Sequence, residues 1–184
     1  MNNNKMIAMM LTMSMLAAAF AGCLGGDEED DTPDWSISMA SDVSADFVES
    51  AWDPIIPNLN AGDMCDAIIS AMTKTDEREQ AVDFTRAYYT SSQAVIGGSG
   101  AASISAVADL NAEGTTIGVQ SGTTSDLYAQ ANLGAATISA YDDFPSVIAA
   151  LNNGDVHYAM GDAPVLALEG TLMVTFSDEN FGMA

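Results

Sequence analysis

Residues 116–132 read TIGVQSGTTSDLYAQAN and indicate the fold class of this protein. The first five of them, 116–120, predict a short strand. Gly122 then predicts a tight turn, and residues 123–132 predict a helix that starts directly after it. A strand that passes through a short turn into a helix is the first half of a βαβ unit.

The rest of the second half continues this alternation of strands and helices. Strands are predicted at 136–140, 156–160 and 172–175, and helices at 145–152 and 163–169. Pro145 falls in the first turn of one helix and Gly154 follows its end, which are the preferred places of these residue types. Strands that alternate with helices of this length predict an α/β fold with a parallel, doubly wound sheet.

The first half carries shorter elements. Its apolar runs and turn residues predict a strand at 43–52, one or two helical turns at 55–59 ending at Gly62, a buried strand at 66–72, a short helix at 75–80 and a strand at 92–96. Thr75 is a suitable N-cap for the short helix, because its hydroxyl can accept from a free backbone N–H. Gly97 and Gly98 then interrupt the chain.

The N-terminus has the pattern of an export signal. Residues 1–5 are polar with one positive charge, residues 6–20 are mostly apolar and uncharged, and Ala21-Gly22-Cys23 follows. This pattern predicts a signal peptide over 1–22, and a cysteine directly after small residues resembles a lipobox, which predicts a lipid on Cys23. The alternative is an uncleaved single-span anchor, because the apolar run is nearly long enough to cross a bilayer.

An acidic segment follows the predicted lipid site. Residues 25–34 read GGDEEDDTPD and contain no apolar side chain. A segment of this composition cannot bury enough apolar surface to fold, so residues 23–34 are predicted to be a solvated tether.

The charge balance excludes several classes of partner. The 184 residues include 4 Lys+Arg and 26 Asp+Glu, and removing residues 1–22 with Lys5 takes the formal net charge from −22 to −23. Nucleic acids and anionic membrane surfaces both require positive charge, so neither is expected as a partner. An acidic surface with so little Lys is typical of a protein that works in salty surroundings, where screening reduces self-repulsion.

Cysteine usage is sparse. If Cys23 carries a lipid, Cys65 has no partner for a disulfide, and its apolar neighbours predict a small core residue. His157 is the only histidine and has no nearby Cys, so neither a metal site nor a Ser-His-Asp triad is expected. The sequence therefore predicts no cofactor.

The few positive residues are concentrated in one place. After the predicted signal, they are Lys74, Arg78 and Arg86. A chain that avoids positive charge nearly everywhere keeps three such residues in this window, which favours a functional role for at least one. The alternative is chance clustering or local salt bridges, for which the acidic neighbours are Asp76, Glu77 and Glu79.

Ligands of doubly wound sheets bind at the carboxyl ends of the strands. Residues 70–73, 120–124 and 161–162 occupy such positions. The free N–H groups of the helix that starts at Thr123 would attract negative oxygens, although Thr is also an ordinary N-cap. Asp162 would suit an ammonium group, with a helix cap as the alternative.

Several motifs together carry a resemblance to a known family. They are WDPIIPNL at 52–59, DAIISAMTKTDER at 66–78, VDFT at 82–85, IGVQSGTT at 117–124, AALNNG at 149–154 and DAPV at 162–165. In this order they resemble the family 3 extracellular solute-binding proteins, the receptors of polar amino-acid ABC transporters. The resemblance covers about residues 43–184 and implies a two-lobed fold of the periplasmic-binding-protein type II kind, with doubly wound sheets.

The resemblance implies a role for each matching residue. Arg78 corresponds to the arginine that clamps the α-carboxylate of the ligand, for which a two-pronged donor is better suited than Lys. Further contacts to this carboxylate are expected from Thr73, Thr123 and Thr124. Ser70 and Ala71 correspond to positions that offer hydroxyl or backbone groups to the ligand.

The other end of the ligand is expected to meet different residues. Asp162 corresponds to the carboxylate that pairs with the α-amino group. Trp52 corresponds to an aromatic position that packs on the ligand side chain, and Gln120 to a side-chain selector. The resemblance thus implies a site for a zwitterion, with positive groups at one end and a carboxylate at the other.

The chain departs from the family pattern in its first lobe. Residues 35–42 suit the first strand, yet the next strand begins at residue 43, which leaves no space for the usual loop and long helix. We therefore predict an incomplete first lobe at 35–98, a second lobe at 99–174 and a return into the first lobe at 175–184.

The resemblance implies a non-enzymatic function. The chain is expected to capture a small amino acid and deliver it to an ABC transporter permease. Its lipid would hold it in the cell envelope, at the outer face of the cytoplasmic membrane or in the periplasm. Two alternatives remain at this stage. One is an enzyme on the same fold, such as a dehydratase of prephenate-like acids, and the other is an envelope lipoprotein that binds no ligand.

Overall fold

The computed structural model describes residues 5–10, 44–62 and 64–184. Cys23, the predicted tether at 23–34 and the predicted first strand at 35–42 lie outside these residues. Within them, no helix is long and apolar enough to cross a membrane.

The elements alternate along the chain much as the sequence predicts. In chain order they are β1 (Lys5–Met10), β2 (Ser44–Glu49), α1 (Ile55–Ala61), β3 (Ala67–Ile68), β4 (Tyr89–Gly97), β5 (Thr116–Gln120), α2 (Thr124–Asn132), β6 (Thr137–Tyr141), α3 (Phe144–Asn153), β7 (Tyr158–Asp162), α4 (Ala163–Glu169) and β8 (Val174–Phe181). Two 3₁₀ helices cover Arg78–Gln80 and Val107–Leu110.

A three-stranded parallel sheet forms the first lobe, in the order β2-β1-β3. The C-terminal residues extend the same lobe, because Ala184 exchanges backbone hydrogen bonds with Ile68 and the Gly182 N–H donates to the Met72 carbonyl. Its central strand, β1, lies inside the predicted signal peptide. A protein from which residues 1–22 had been removed would have to supply this strand from another segment.

A five-stranded sheet forms the second lobe, in the order β6-β5-β7-β4-β8. β5 is parallel to both β6 and β7, as the predicted βαβ units require. β4, however, is antiparallel to β7 and to β8, so the prediction of a wholly parallel sheet is wrong at this side. The reason is that β4 leads from the first lobe into the second and β8 leads back, so these two strands run in opposite directions.

Two further predictions in the first lobe need correction. The strand predicted at 66–72 is limited to Ala67–Ile68, and Ala71 has a positive φ of 51° that turns the chain. The helix predicted at 75–80 is one 3₁₀ turn, although the Thr75 hydroxyl does accept from the Arg78 N–H at 3.2 Å. Both changes give this segment an irregular course, which suits a segment that lines a site.

Apolar side chains fill both faces of the second-lobe sheet. One cluster includes Val147 of α3 and Leu166 of α4, and the other includes Ile117 of β5 and Leu133 at the end of α2. The first lobe has a smaller cluster, in which Cys65 is 3% exposed, as expected of a core residue. The rigid sheet of the second lobe thereby fixes the strand ends at which the candidate site lies.

Candidate functional site

A cleft of about 240 Å³ lies where the two lobes meet. Its lining comes mainly from the first lobe, with one residue of the turn after β5, and consists of Trp52, Asp53, Ile55, Ile56, Met72, Arg78 and Gly122. The two lobes approach closely at this turn, because a Cβ on Gly122 would lie 3.3 Å from a carboxylate oxygen of Asp53. Gly122 also has a φ of +67°, which favours glycine.

Arg78 spans this cleft. Its Nη1 donates to the Thr73 carbonyl at 2.8 Å, and its Nη2 donates to the Gly122 carbonyl of the other lobe at 3.3 Å. The guanidinium carbon lies 5.1 Å from the centre of the Trp52 ring, within the range of a cation–π interaction. Burial lowers the pKa of Arg78, while nearby Glu179, Asp162 and Glu77 raise it, and arginine remains charged in any such environment.

The local salt-bridge alternative applies to Lys74. Its Nζ lies 3.7 Å from a carboxylate oxygen of the partly exposed Glu79. The guanidinium of Arg78 instead donates to two backbone carbonyls among the described residues, and Arg86 is exposed. Of the three clustered cations, Arg78 is therefore the one whose charge faces the cleft.

Asp162 ends β7 and stands at the N-cap position of α4, yet its side chain makes no capping hydrogen bond. One carboxylate oxygen, Oδ1, accepts from Nε2 of the buried Gln93 at 2.6 Å. The pKa of Asp162 is raised to about 6, first by burial and then by Glu179, although Gln93 and Arg78 lower it. Helix capping therefore does not explain this carboxylate.

The start of α2 favours the capping alternative for Thr123. Its side chain accepts from the Asp126 N–H at 3.4 Å and donates to the Gln120 carbonyl at 2.8 Å. Thr124 is the first helical residue and is partly exposed. Thr123 thus has a structural task, and its contact to a ligand stays a prediction.

Three predicted residues follow β3. Ser70 is buried, and its hydroxyl has no hydrogen-bond partner among the described residues. The Ala71 N–H donates to the Tyr88 hydroxyl at 3.0 Å. Thr73 is buried and contributes its carbonyl to Arg78. An unpaired buried hydroxyl is costly, so Ser70 suits a position that meets a polar ligand group.

The remaining predicted contacts lie on either side of the cleft. Gln120 is buried at the end of β5, and its Nε2 donates to the Asp142 carbonyl at 3.4 Å. Trp52 lines the cleft, but the Arg78 guanidinium lies over its ring. The role of each as a ligand contact stays a prediction.

The sequence interpretation missed a second tier of polar residues behind the cleft. Gln93, Ser125 and Glu179 are all buried polar residues, and Tyr88 contacts Ala71. The available signal was a glutamine directly before the apolar run at 94–96. The part of the chain that the structure describes holds no group of three or more His, Cys, Asp or Glu side chains suited to a metal ion.

Known proteins resemble this chain in sequence. The family model for bacterial extracellular solute-binding proteins, family 3, matches residues 36–144. A protein of Neisseria gonorrhoeae named Probable histidine-binding protein is 30% identical over 81% of this chain and 59% of its own length. ABC transporter arginine-binding protein 1 of Escherichia coli K12 is 34% identical over 65% of this chain and 47% of its own length. The chain thus spans about half the length of these curated relatives.

Solved structures agree on the fold. An ancestral arginine-binding protein bound to arginine matches with a TM-score of 0.77 and 25% identity, over 100% of this chain and 84% of that one. An ancestral amino acid-binding protein, a precursor of cyclohexadienyl dehydratase, matches with a TM-score of 0.77 and 26% identity, over 98% of this chain and 81% of that one.

Proposed function

This chain belongs to the bacterial extracellular solute-binding proteins of family 3, and on that premise we propose that it captures an amino acid for an ABC transporter permease. The observation that carries the proposal is the pair of opposite charges at the junction of the lobes. Arg78 reaches across the cleft, and Asp162 lies close enough to alter its pKa. An amino acid carries the complementary pair of charges.

The carboxylate end of the ligand would bind Arg78. In the structure its guanidinium donates to neutral carbonyl oxygens, among them that of Gly122 at 3.3 Å. A carboxylate would accept bidentate, charge-assisted hydrogen bonds from the same group, which are about twice as strong as neutral ones. The exchange is therefore favourable, and it places the ligand carboxylate next to the start of α2.

The ammonium end of the ligand would bind Asp162. Its carboxylate accepts from Gln93 through Oδ1, and it makes no capping hydrogen bond. Burial disfavours its charge, as the raised pKa of about 6 indicates. A ligand ammonium would compensate this cost directly.

The charge count favours a ligand with a cationic side chain. Arg78 contributes one positive charge to the site, whereas Asp162, the buried Glu179 and Asp53, which lines the cleft, contribute three carboxylates. A net positive amino acid would offset part of this negative charge, and buried uncompensated charge is costly. Relatives named as arginine-binding and a structural relative with bound arginine support the same ligand class.

The setting of the receptor rests on the sequence. We propose that residues 1–22 direct export, that Cys23 carries a lipid and that the acidic segment tethers the lobes near their permease. Metabolic labelling with palmitate tests this directly: label on the wild type and none on Cys23→Ala is the expected result. Label retained by Cys23→Ala would refute the lipid anchor.

Calorimetry with each of the twenty amino acids, in high salt, tests the binding function. We expect tight binding of one of them, with arginine, lysine and histidine the first to try, and at least 100-fold weaker binding by Arg78→Ala and Asp162→Ala. Arg86→Ala and Asp155→Asn remove exposed charges and serve as matched controls, with unchanged affinity.

Other outcomes distinguish the alternatives. A folded wild type that binds none of the twenty amino acids would refute the proposal and favour a lipoprotein without ligand. Chemical conversion of an offered prephenate-like acid would indicate an enzyme instead. Equal losses in the site variants and in the matched controls would show that overall charge, not the site, governs affinity.

A further inference from the structure

A chain of buried polar groups stands behind Asp162. Gln93 lies opposite Asp162 in the β4–β7 register and is 1% exposed. Its Nε2 donates to Asp162 Oδ1 at 2.6 Å, and its Oε1 accepts a hydrogen bond from the hydroxyl of Ser125. Ser125 is 2% exposed and lies in the first turn of α2. The three side chains therefore connect the carboxyl end of β7 with the start of α2.

Chemistry fixes the orientation of the Gln93 amide. An ionised carboxylate can only accept hydrogen bonds, so the amide NH₂ must face Asp162. The amide oxygen then faces Ser125, whose hydroxyl has to donate. A neutral side chain that is satisfied at both ends can stay buried without penalty, and it cannot rotate without losing both bonds.

We propose that Gln93, held by Ser125, is a positioning residue that keeps the Asp162 carboxylate oriented and charged for the ligand ammonium. The proposal rests on the proposed function, because it assigns a task to a residue behind the same site. In this role Gln93 does not contact the ligand and acts through Asp162 alone.

The groups around Asp162 make this support necessary. Glu179 faces it with a like charge, while Arg78 faces it with the opposite charge and Tyr88 lies within electrostatic range. Burial and Glu179 favour the protonated form of Asp162, whereas Gln93 and Arg78 favour the charged form. When a ligand carboxylate engages Arg78, part of that positive charge is neutralised. The Gln93 hydrogen bond then remains as a support that the ligand does not weaken.

The first test measures Asp162 itself in the ligand-free full chain. Carboxyl ¹³C NMR follows its titration, and Asp162→Asn identifies the signal. A hydrogen bond to a charged group is strong enough that Gln93→Met should raise the pKa of Asp162 by about 1 above the wild-type value of about 6. Ser125→Ala should raise the pKa of Asp162 by less, because the Gln93 amide then loses only its hydrogen bond from Ser125 and can still donate to Asp162.

The matched control is another glutamine that donates to an aspartate. Gln130 is exposed and donates to Oδ1 of the buried Asp126 at 2.7 Å, and Gln130→Met should leave the Asp162 titration unchanged. An Asp162 pKa in Gln93→Met equal to that of the wild type would overturn the proposal. If Gln93→Met does not fold, the same comparison is made with Ser125→Ala, and an unchanged pKa there would be equally decisive.

The second test uses L-arginine as the probe and compares dissociation constants at pH 6 and pH 8. If the pKa of Asp162 rises from about 6 to about 7, the charged fraction of its side chain at pH 6 falls from about 50% to about 9%. At pH 8 the same change lowers the charged fraction only from about 99% to about 91%. We therefore expect about fivefold weaker binding by Gln93→Met at pH 6 and nearly unchanged binding at pH 8. Equal losses at both pH values would indicate a merely structural role and overturn the proposal.

The two tests separate this inference from the proposed function. If the wild type binds no amino acid, the proposed function fails, while the NMR titration still decides whether Gln93 supports the charge of Asp162. If the wild type binds L-arginine and the titration is unaffected by Gln93→Met, the function stands and the positioning role fails.

Discussion

Replacing Asp162 by asparagine should stabilise the ligand-free protein while removing its ability to bind an amino acid. Asparagine has nearly the same shape and keeps an oxygen that can accept from Gln93, which lies 2.6 Å from Asp162 Oδ1. It removes the buried negative charge next to Glu179. The change therefore isolates the electrostatic cost of holding this carboxylate in the site.

The magnitude follows from the shifted pKa. The pKa of Asp162 rises from 3.8 to about 6 on folding, so the folded state binds more protons than the unfolded state between these pH values. The stability of the protein therefore falls as pH rises through that window. Above the window the full cost is about 3 kcal/mol, at 1.36 kcal/mol per pKa unit, and relaxation around the site makes this an upper estimate. At pH 5 the same relation gives roughly half of this cost.

Urea unfolding at pH 8 and pH 5, in high salt, measures the effect. Asp162→Asn should gain up to about 3 kcal/mol at pH 8, and at pH 5 this gain should fall to roughly half. Asp155→Asn, on an exposed loop, is the control and should change stability by less than about 0.5 kcal/mol. A gain that does not depend on pH, or a loss of stability at pH 8, would refute the argument.

Two further predictions concern packing in the second lobe. Gly161→Ala would place a methyl group 2.8 Å from the Phe144 ring and should cost about 1–3 kcal/mol of stability. In the control Gly134→Ala, the added methyl group meets nothing within 4 Å, so the change should be neutral or slightly stabilising. Thermal melts compare the two variants, and equal melting temperatures would contradict the close contact. Leu166→Ala removes a fully buried side chain and should cost about 2–5 kcal/mol of stability. Leu168 is 50% exposed, so Leu168→Ala should change stability by less than about 0.5 kcal/mol. Similar unfolding free energies for both variants would contradict the described core.

Local sequence signals predicted the second lobe well, because its elements have clear starts and ends. Gly154 adopts the left-handed conformation that ends α3, and Thr123 caps α2. The direction of β4 was not predictable in this way. A strand of similar composition can run either way in a sheet, and here its direction is set by a crossing between lobes that involves residues far apart in the chain.

The site was predictable only in part. Arg78 stood out because positive residues are so few, and the structure places it across the cleft. For Asp162 the sequence could not separate an ammonium partner from a helix cap, since an aspartate at this position can perform either task. Gln93 and Glu179 were missed because their meaning depends on neighbours brought close by the fold, not on their local sequence.

The cost of the Asp162 charge also bears on how the proposed receptor gains affinity. A carboxylate whose pKa is raised to about 6 by burial is destabilised in the empty site at neutral pH. A ligand ammonium would compensate this penalty, so part of the binding energy of the proposed receptor would come from relieving an unfavourable state of the protein rather than from new contacts alone. A ligand without an ammonium group would leave the penalty in place and would also bury its own apolar or polar group against a charge. Discrimination against such molecules therefore follows from the same buried carboxylate that lowers the stability of the empty protein.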